Sequence, residues 1–202
     1  MRNKDYKEDF MKKLVLVTLL ALSFIAINAE EARRWIGIGI TDSRISGDYV
    51  KTLESTDPNA KVTELKGFLV SFTQTEYFYN NFFNRATGLL AERGWVLETD
   101  DFVQNIKNNY FEGHGQIGYT IPILKNVFDS IDPFAGIGIS TVINSSHYKM
   151  SDMRWDFPIS IGLDIVLGRT VLSSMHTFGT QNIIKNEKAK YQTYNMSLGY
   201  LF

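Results

Sequence analysis

Residues Lys190 to Phe202 read KYQTYNMSLGYLF, and their alternation decides the fold. Side chains along a β-strand point to opposite faces at period two. Tyr194, Met196, Leu198, Tyr200 and Phe202 therefore share one face, and Tyr191, Thr193, Asn195, Ser197 and Gly199 the other. One face is continuously apolar and bounded by aromatics, while the other is mostly small and polar. Such a strand either covers the core of a soluble sandwich or faces hydrocarbon in a membrane barrel, and a final strand that stops on an aromatic residue is unusual in the former.

The ending resembles the C-terminal sorting signal of bacterial outer-membrane β-barrels, which runs polar-x-Gly-x-x-aromatic-x-aromatic. Asn195, Ser197, Tyr200 and Phe202 occupy those places, with Ser197 where the family has glycine. The resemblance implies that Tyr200 and Phe202 address the chain to the outer-membrane barrel assembly machinery.

The other end carries a second address. Residues 11–29, MKKLVLVTLLALSFIAINA, have two lysines, an apolar run and a small residue just before Glu30 and Glu31. This is the plan of a secretory signal peptide cleaved after Ala29. The run from Leu14 to Ile27 is shorter than the roughly 20 apolar residues of a spanning helix. Residues 1–10, MRNKDYKEDF, lie outside that plan and are expected to be a wrongly assigned extension, with translation starting at Met11. Codons for Lys7, Glu8 and Asp9 can spell a ribosome-binding sequence at a suitable distance.

The expected mature chain, residues 30–202, suits one domain. Of 21 basic and 22 acidic residues, five and three precede Glu30, which leaves 16 and 19 and a net charge near −3. That balance offers no electrostatic footprint for nucleic acid. The absence of cysteine excludes disulfides, thiolate chemistry and a lipid anchor on Cys. No mature segment approaches a transmembrane helix, so a membrane role requires a closed barrel, in which every backbone group is paired.

Eight alternating runs are present. Ile36, Ile38 and Ile40 oppose Gly37, Gly39 and Thr41; Phe68, Val70 and Phe72 oppose Gly67, Leu69, Ser71 and Thr73. The cluster Tyr77 to Phe83 makes a tight aromatic turn into Asn84–Leu97, a run whose central Glu92 and Arg93 leave one awkward charge on either face assignment. The fourth run, Tyr110–Ile121, sets Phe111, Ile117, Tyr119 and Ile121 against Glu112, His114, Gln116, Gly118 and Thr120. The fifth covers Ala135 to Ile143, after a connection through Lys125 and Asp129 to Pro133 that is long for an inner turn. The sixth, Trp155–Leu167, has seven apolar residues at strict period two against Asp156, Pro158, Ser160, Gly162 and Asp164, with a bulge or rim expected at Pro158. The seventh is Thr170–Thr180, and the terminal stretch is the eighth. Polar segments Asp42–Lys61, Asp100–Asn109, His147–Asp152 and Gln181–Ala189 read as outer loops.

The predicted fold class is thus all-β: an eight-stranded antiparallel up-and-down transmembrane β-barrel. A soluble lipocalin-type barrel, the alternative, carries its apolar faces inward and a charged exterior. Here the apolar faces oppose Gly, Ser and Thr, which suit an interior only wide enough for side chains. The chain resembles the small OmpA/OmpX-like outer-membrane barrels, and that resemblance implies outer-membrane lipids and lipopolysaccharide as surroundings.

On this register Glu112, His114, Asp156 and Asp164 point into the lumen, with Lys66, Arg85 and Arg93 as available cations. Buried charges must be paired. An internal polar network is one reading, and a proton or ion path the other. The three histidines, His114, His147 and His176, lack metal-ligand spacing, and no phosphate loop or nucleophile elbow is present. No metal or cofactor is expected.

His176 shares a face with Leu172, Ser174 and Phe178 and so looks outward, an expensive place for an imidazole. The segment resembles the lipid A 3-O-deacylase barrels, whose penultimate strand ends in His-x-Ser-Asn with an acid about a dozen residues on. His176 matches that histidine, Glu187 the acid, but Phe178 and Gly179 stand where Ser and Asn are required, leaving Ser174 as the hydroxyl on the right face. Three functions remain: a structural or surface-binding barrel without an open pore, acting through its outer loops; a lipid A deacylase-like hydrolase using His176, Ser174 and Glu187; and a small-solute channel.

Overall fold

The computed structural model describes residues 32–123, 128–149, 153, 155–184 and 188–202. The expected extension and signal peptide, Lys125, Asp152 and Glu187 lie outside the described residues.

Eight strands form one antiparallel ring: β1 Arg33–Ser46, β2 Lys61–Tyr79, β3 Phe82–Glu98, β4 Val103–Tyr119, β5 Ser130–Ser145, β6 Ile159–Leu167, β7 Thr170–Phe178 and β8 Lys190–Leu201. Each pairs with its neighbours in sequence, and β1 pairs with β8 to close the ring. A two-residue stretch, Ile121–Pro122, extends β4 and pairs with the start of β5. One helix, α1 (Asp48–Thr56), joins β1 to β2. The all-β, eight-stranded antiparallel barrel read from the sequence is the fold observed.

Register fixes the geometry. From Arg34, the residues directly opposite in successive strands are Gln74, Ala86, Gly115, Ile137, Ile159, Phe178 and Gln192, and the circuit returns to β1 at Arg44, ten residues further on. With about 3.3 Å per residue and about 4.7 Å between strands, that stagger tilts the strands by roughly 40° and lifts the chain about 2.5 Å along the axis per residue.

The exterior is apolar and the interior polar. Ile38 is 67% exposed and Ile137 70%, whereas Glu112 and His114 are 0% exposed. Along β6 and its N-terminal extension, outward Phe157, Ile159, Ile161, Leu163, Ile165 and Leu167 span about 25 Å of height, the thickness of a membrane barrel's apolar band. Phe78, Phe82, Tyr119, Tyr200 and Phe202 gather near one rim. Only hydrocarbon covers such a belt without penalty, so the barrel is of the transmembrane kind and the lipocalin alternative is set aside.

Strands run further above the belt than alternation predicts. β1 continues to Ser46, α1 occupies much of the expected first loop, and the expected loop Asp100–Asn109 is mostly β4, joined to β3 by residues 99–102. The reason is physical: above the belt, outward positions turn polar while inward Ser43, Ile45, Ile106 and Asn108 stay buried, so the apolar alternation fades although the strand does not. At Pro158 the register passes unshifted: Gly138 N–H donates to Pro158 O (2.8 Å), and Ser140 and Asp156 exchange two bonds of 2.9 Å. Only the missing proline donor interrupts the ladder, so β6 is regular from Ile159 rather than from Trp155.

Two glycines separate steric necessity from openness. A Cβ on Gly94 would collide with the Ile106 carbonyl, while one on Gly88 meets nothing within 4 Å. Gly94→Val is therefore expected to block barrel formation, and Gly88→Ala to leave it intact, as read by heat-modifiable gel migration. Equal behaviour of the two variants would contradict the register.

Candidate functional site

The lumen is filled in layers. At the outer end Trp95, Ile106, Tyr110, Val142, Ile183, Ile184 and Tyr191 form an apolar plug, with Tyr49 and Val50 of α1 packed against it. Ile183 and Ile184 belong to the expected fourth loop, so these two residues of it pack into the barrel mouth. Asp48 ties α1 to the same segment by accepting from Lys188 Nζ at 2.8 Å, and that hydrogen bond holds its carboxyl below the ordinary range.

Beneath the plug sits the first charged layer. Arg93 makes a two-pronged pair with Glu112, through Nη1 to Oε1 and through Nη2 to Oε2 (2.9 Å). His114 Nε2 lies 3.0 Å from the same Oε2. The guanidinium carbon also stands 5.6 Å from the Tyr110 ring centre. Adjacent residues thus part company: Arg93 turns inward, and Glu92 turns outward to accept from Lys107 Nζ at 3.0 Å. The awkward charge of the third run resolves because both faces supply a partner.

Lower down, Arg85 Nη1 donates to Asp164 Oδ2 (2.5 Å) and Nε to Thr87 Oγ1 (3.1 Å), with its carbon 3.8 Å from the Phe134 ring centre. Thr73, Thr87, Gln116 and Ser160 carry a hydrogen-bond chain across the barrel at 3.2, 3.2 and 3.0 Å. Arg33 and Asp132 approach to 3.8 Å near the inner end. A void of about 20 Å³ between Trp35, Arg85 and Met175 has room for about one water.

The sequence-read lumen residues divide. Glu112, His114 and Asp164 enter these layers; Asp156 is buried but does different work. Its Oδ1 accepts from the amides of Phe157, Thr180 and Gln181 at 2.8–2.9 Å and so ties the end of β6 to the connection after β7. Lys66, offered as a lumen cation, is exposed on the outside. Sequence reasoning missed Asp132, Thr87, Gln116 and Ser160 as network members. Parity with Phe134 could have placed Asp132 inside.

His176, Ser174 and Tyr194 form a small polar patch on the outer wall. The imidazole stacks on Phe178, ring centres 4.1 Å apart and planes tilted by 30°. Ser174 Oγ donates to Tyr194 Oη at 2.8 Å, so its hydroxyl is turned from the base that would activate it. Glu187, the proposed acid, lies outside the described residues. Tyr200 and Phe202 are on the exterior near the inner rim, and Phe202 N–H donates to Arg34 O at 3.0 Å.

A transmembrane barrel with a plugged lumen and a tall outer end is the class defined by these features. Among solved structures the chain is similar to Ail, the attachment invasion locus protein of Yersinia pestis, at 16% identity and TM-score 0.47, covering 85% of this chain and 99% of that one. It is also similar to the outer membrane protein OprG from Pseudomonas aeruginosa, at 13% and 0.46 over 85% and 96%. A third is the translocator domain of the autotransporter NalP from Neisseria meningitidis, at 9% and 0.37 over 97% and 98%. No protein-family model and no curated protein sequence matches the chain.

Removing one member of a buried ion pair strands the other's charge, whereas replacing both with apolar groups is nearly neutral. Arg93→Met alone is expected to destabilise the barrel by about 3–5 kcal/mol, and Arg93→Met with Glu112→Leu by much less. Urea unfolding in phospholipid vesicles measures both, and additive losses would show that the two side chains are not coupled.

Proposed function

We propose that this protein is a small barrel of the bacterial outer membrane, exported by the general secretory route and folded by the barrel assembly machinery, which binds surface partners through its outer end and conducts nothing. The observation that carries the reading is the protruding sheet. β1 and β2 part after Ser43 and Leu65, yet β2, β3 and β4 stay paired up to Lys61, Glu98 and Val103. From Glu92 to Glu98 β3 climbs about 15 Å along the barrel axis.

Among the described residues, the β1-facing edge of β2 has no strand partner beyond Leu65. An open edge offers N–H and C=O groups to an extended segment, so binding by strand addition suits it. α1 and the end of the β7–β8 connection flank that edge and supply side chains for selectivity.

Lipid A hydrolysis ranks behind this reading because Ser174 already spends its hydroxyl on Tyr194. Transport ranks behind it because three apolar clusters and two ion pairs fill the lumen.

Replacing residues 97–104 by a short turn between Val96 and Asn105, which keeps Trp95, Ile106 and Lys107, is expected to leave a folded barrel and to reduce attachment of expressing cells to protein- and glycan-coated surfaces at least several-fold. Unchanged attachment would remove the hairpin from the binding surface. In planar bilayers the wild-type protein is expected to give no conductance steps, and a stepwise current would restore the channel. Cells expressing wild type and His176→Ala are expected to yield the same lipid A mass spectrum; an acyl chain lost only with wild type would restore the hydrolase.

A further inference from the structure

The outer wall carries a groove that barrel packing does not require. Gly88 of β3 and Gly113 of β4 are direct partners in the register and form its floor. Ile36, Val70, Phe72, Leu90 and Phe111 form the walls, around a volume of about 340 Å³. That lies within the roughly 300–1,000 Å³ of small-molecule sites.

Glycine weakens a strand and needs a reason. For the inward glycines the reason is a neighbour: a Cβ on Gly138 would meet His114, and one on Gly162 would meet Phe134. The outward pair has no such neighbour. A Cβ on Gly88 meets nothing within 4 Å, and one on Gly113 only reaches Ile139 at 3.9 Å. The groove lies within the apolar belt, so its occupant is a hydrocarbon chain.

Charge above the groove says which lipid carries that chain. Lys66 stands on β2, two residues past Phe68, and Lys107 on β4, four residues past Phe111, both outward and exposed just above the belt. Lys107 lies opposite Gly94 on one side of β3, and Lys66 stands on β2 on its other side, so the two cations flank β3 from neighbouring strands. Glu92 lies between them, accepting from Lys107 and leaving oxygen lone pairs for hydroxyl donors. Among the described residues Lys66 has no carboxylate partner. Two cations with a carboxylate between them match a headgroup that carries two phosphates and free hydroxyls, such as a diphosphorylated sugar.

We propose that the β2–β4 face is a binding site for one phosphorylated glycolipid of the lipopolysaccharide class, with an acyl chain in the Gly88–Gly113 groove and its phosphates on Lys66 and Lys107. The site rests on the reading of the chain as an outer-membrane barrel, and that reading fails separately if the protein does not fractionate with outer membranes.

The test is native mass spectrometry of full-length mature protein released from vesicles of phosphatidylethanolamine, phosphatidylglycerol and rough lipopolysaccharide. Wild type is expected to retain one glycolipid. Gly88→Leu fills the groove and is expected to lower retention at least ten-fold. Gly115→Leu is the matched control: Gly115 is outward with nothing within 4 Å of its Cβ and does not line the groove, so retention should be unchanged. Lys66→Gln with Lys107→Gln is expected to lower retention at least ten-fold. Heat-modifiable migration confirms folding of each variant. Retention by Gly88→Leu equal to wild type, equal loss in Gly115→Leu, indifference to the lysines, or preferential retention of phosphatidylglycerol would each overturn the proposal.

Discussion

Everything in this molecule follows from the absence of water in hydrocarbon. A strand edge left open there has no partner for its N–H and C=O groups, so the sheet must close, and β1 must find β8. Closure of eight strands with a stagger of ten fixes the width of the interior. That width is just enough for side chains to fill, and it obliges large and small residues to take turns. Trp35 lies against Gly37 and Gly199, Phe83 against Gly118 and Phe134 against Gly162, positions at which a Cβ would enter a ring. The glycines of the inner face are thus complements of particular aromatics rather than a general softness.

The same constraint explains why the charges are distributed as they are. An ion pair inside the barrel adds little net stability, because desolvation offsets most of the attraction. Its larger effect is on register. A slip of one residue would send Arg93 and Arg85 to the lipid and draw apolar side chains inward, a penalty on every misaligned pairing. Glu92 and Arg93 show the principle in two consecutive residues, each satisfied on its own face by a partner from β4. Such pairs act as pins that hold the stagger on which closure depends.

Legibility in the sequence tracked the hydrocarbon. Within the belt the period-two pattern placed all eight strands and assigned faces to seven of them, while the third run, with Glu92 and Arg93 side by side, left its face open. Above the belt both faces meet water or protein, the outward side turns polar, and strands such as Val103–Asn109 read as loop although they are paired throughout. The candidate residues show the same division. Parity sends Glu112, His114, Asp156 and Asp164 inward, but parity carries no information about height or partners. It could not tell that Asp156 would serve three backbone amides, although parity with Phe68 does set Lys66 on the outer face. Nor could it show Ser174 turned to Tyr194, since that contact joins residues 20 apart on different strands.

Two populations of glycine follow from this, and only one answers to the barrel itself. Inside, a Cβ on Gly118, Gly138 or Gly162 would run into the side chain of its register partner on the next strand. Outside, the barrel's own packing leaves side chains at Gly88 and Gly113 unconstrained, since a Cβ on the first meets nothing within 4 Å and one on the second only touches Ile139 at 3.9 Å. The surface around them is strongly apolar and could carry leucine or valine, which also favour strands. Where the fold does not require a small residue and the strand would be better without one, the shape it creates belongs to an external contact. On a membrane barrel, that contact is made by the bilayer. The outer wall is therefore as specified a surface as the lumen, complementary to lipid rather than to protein.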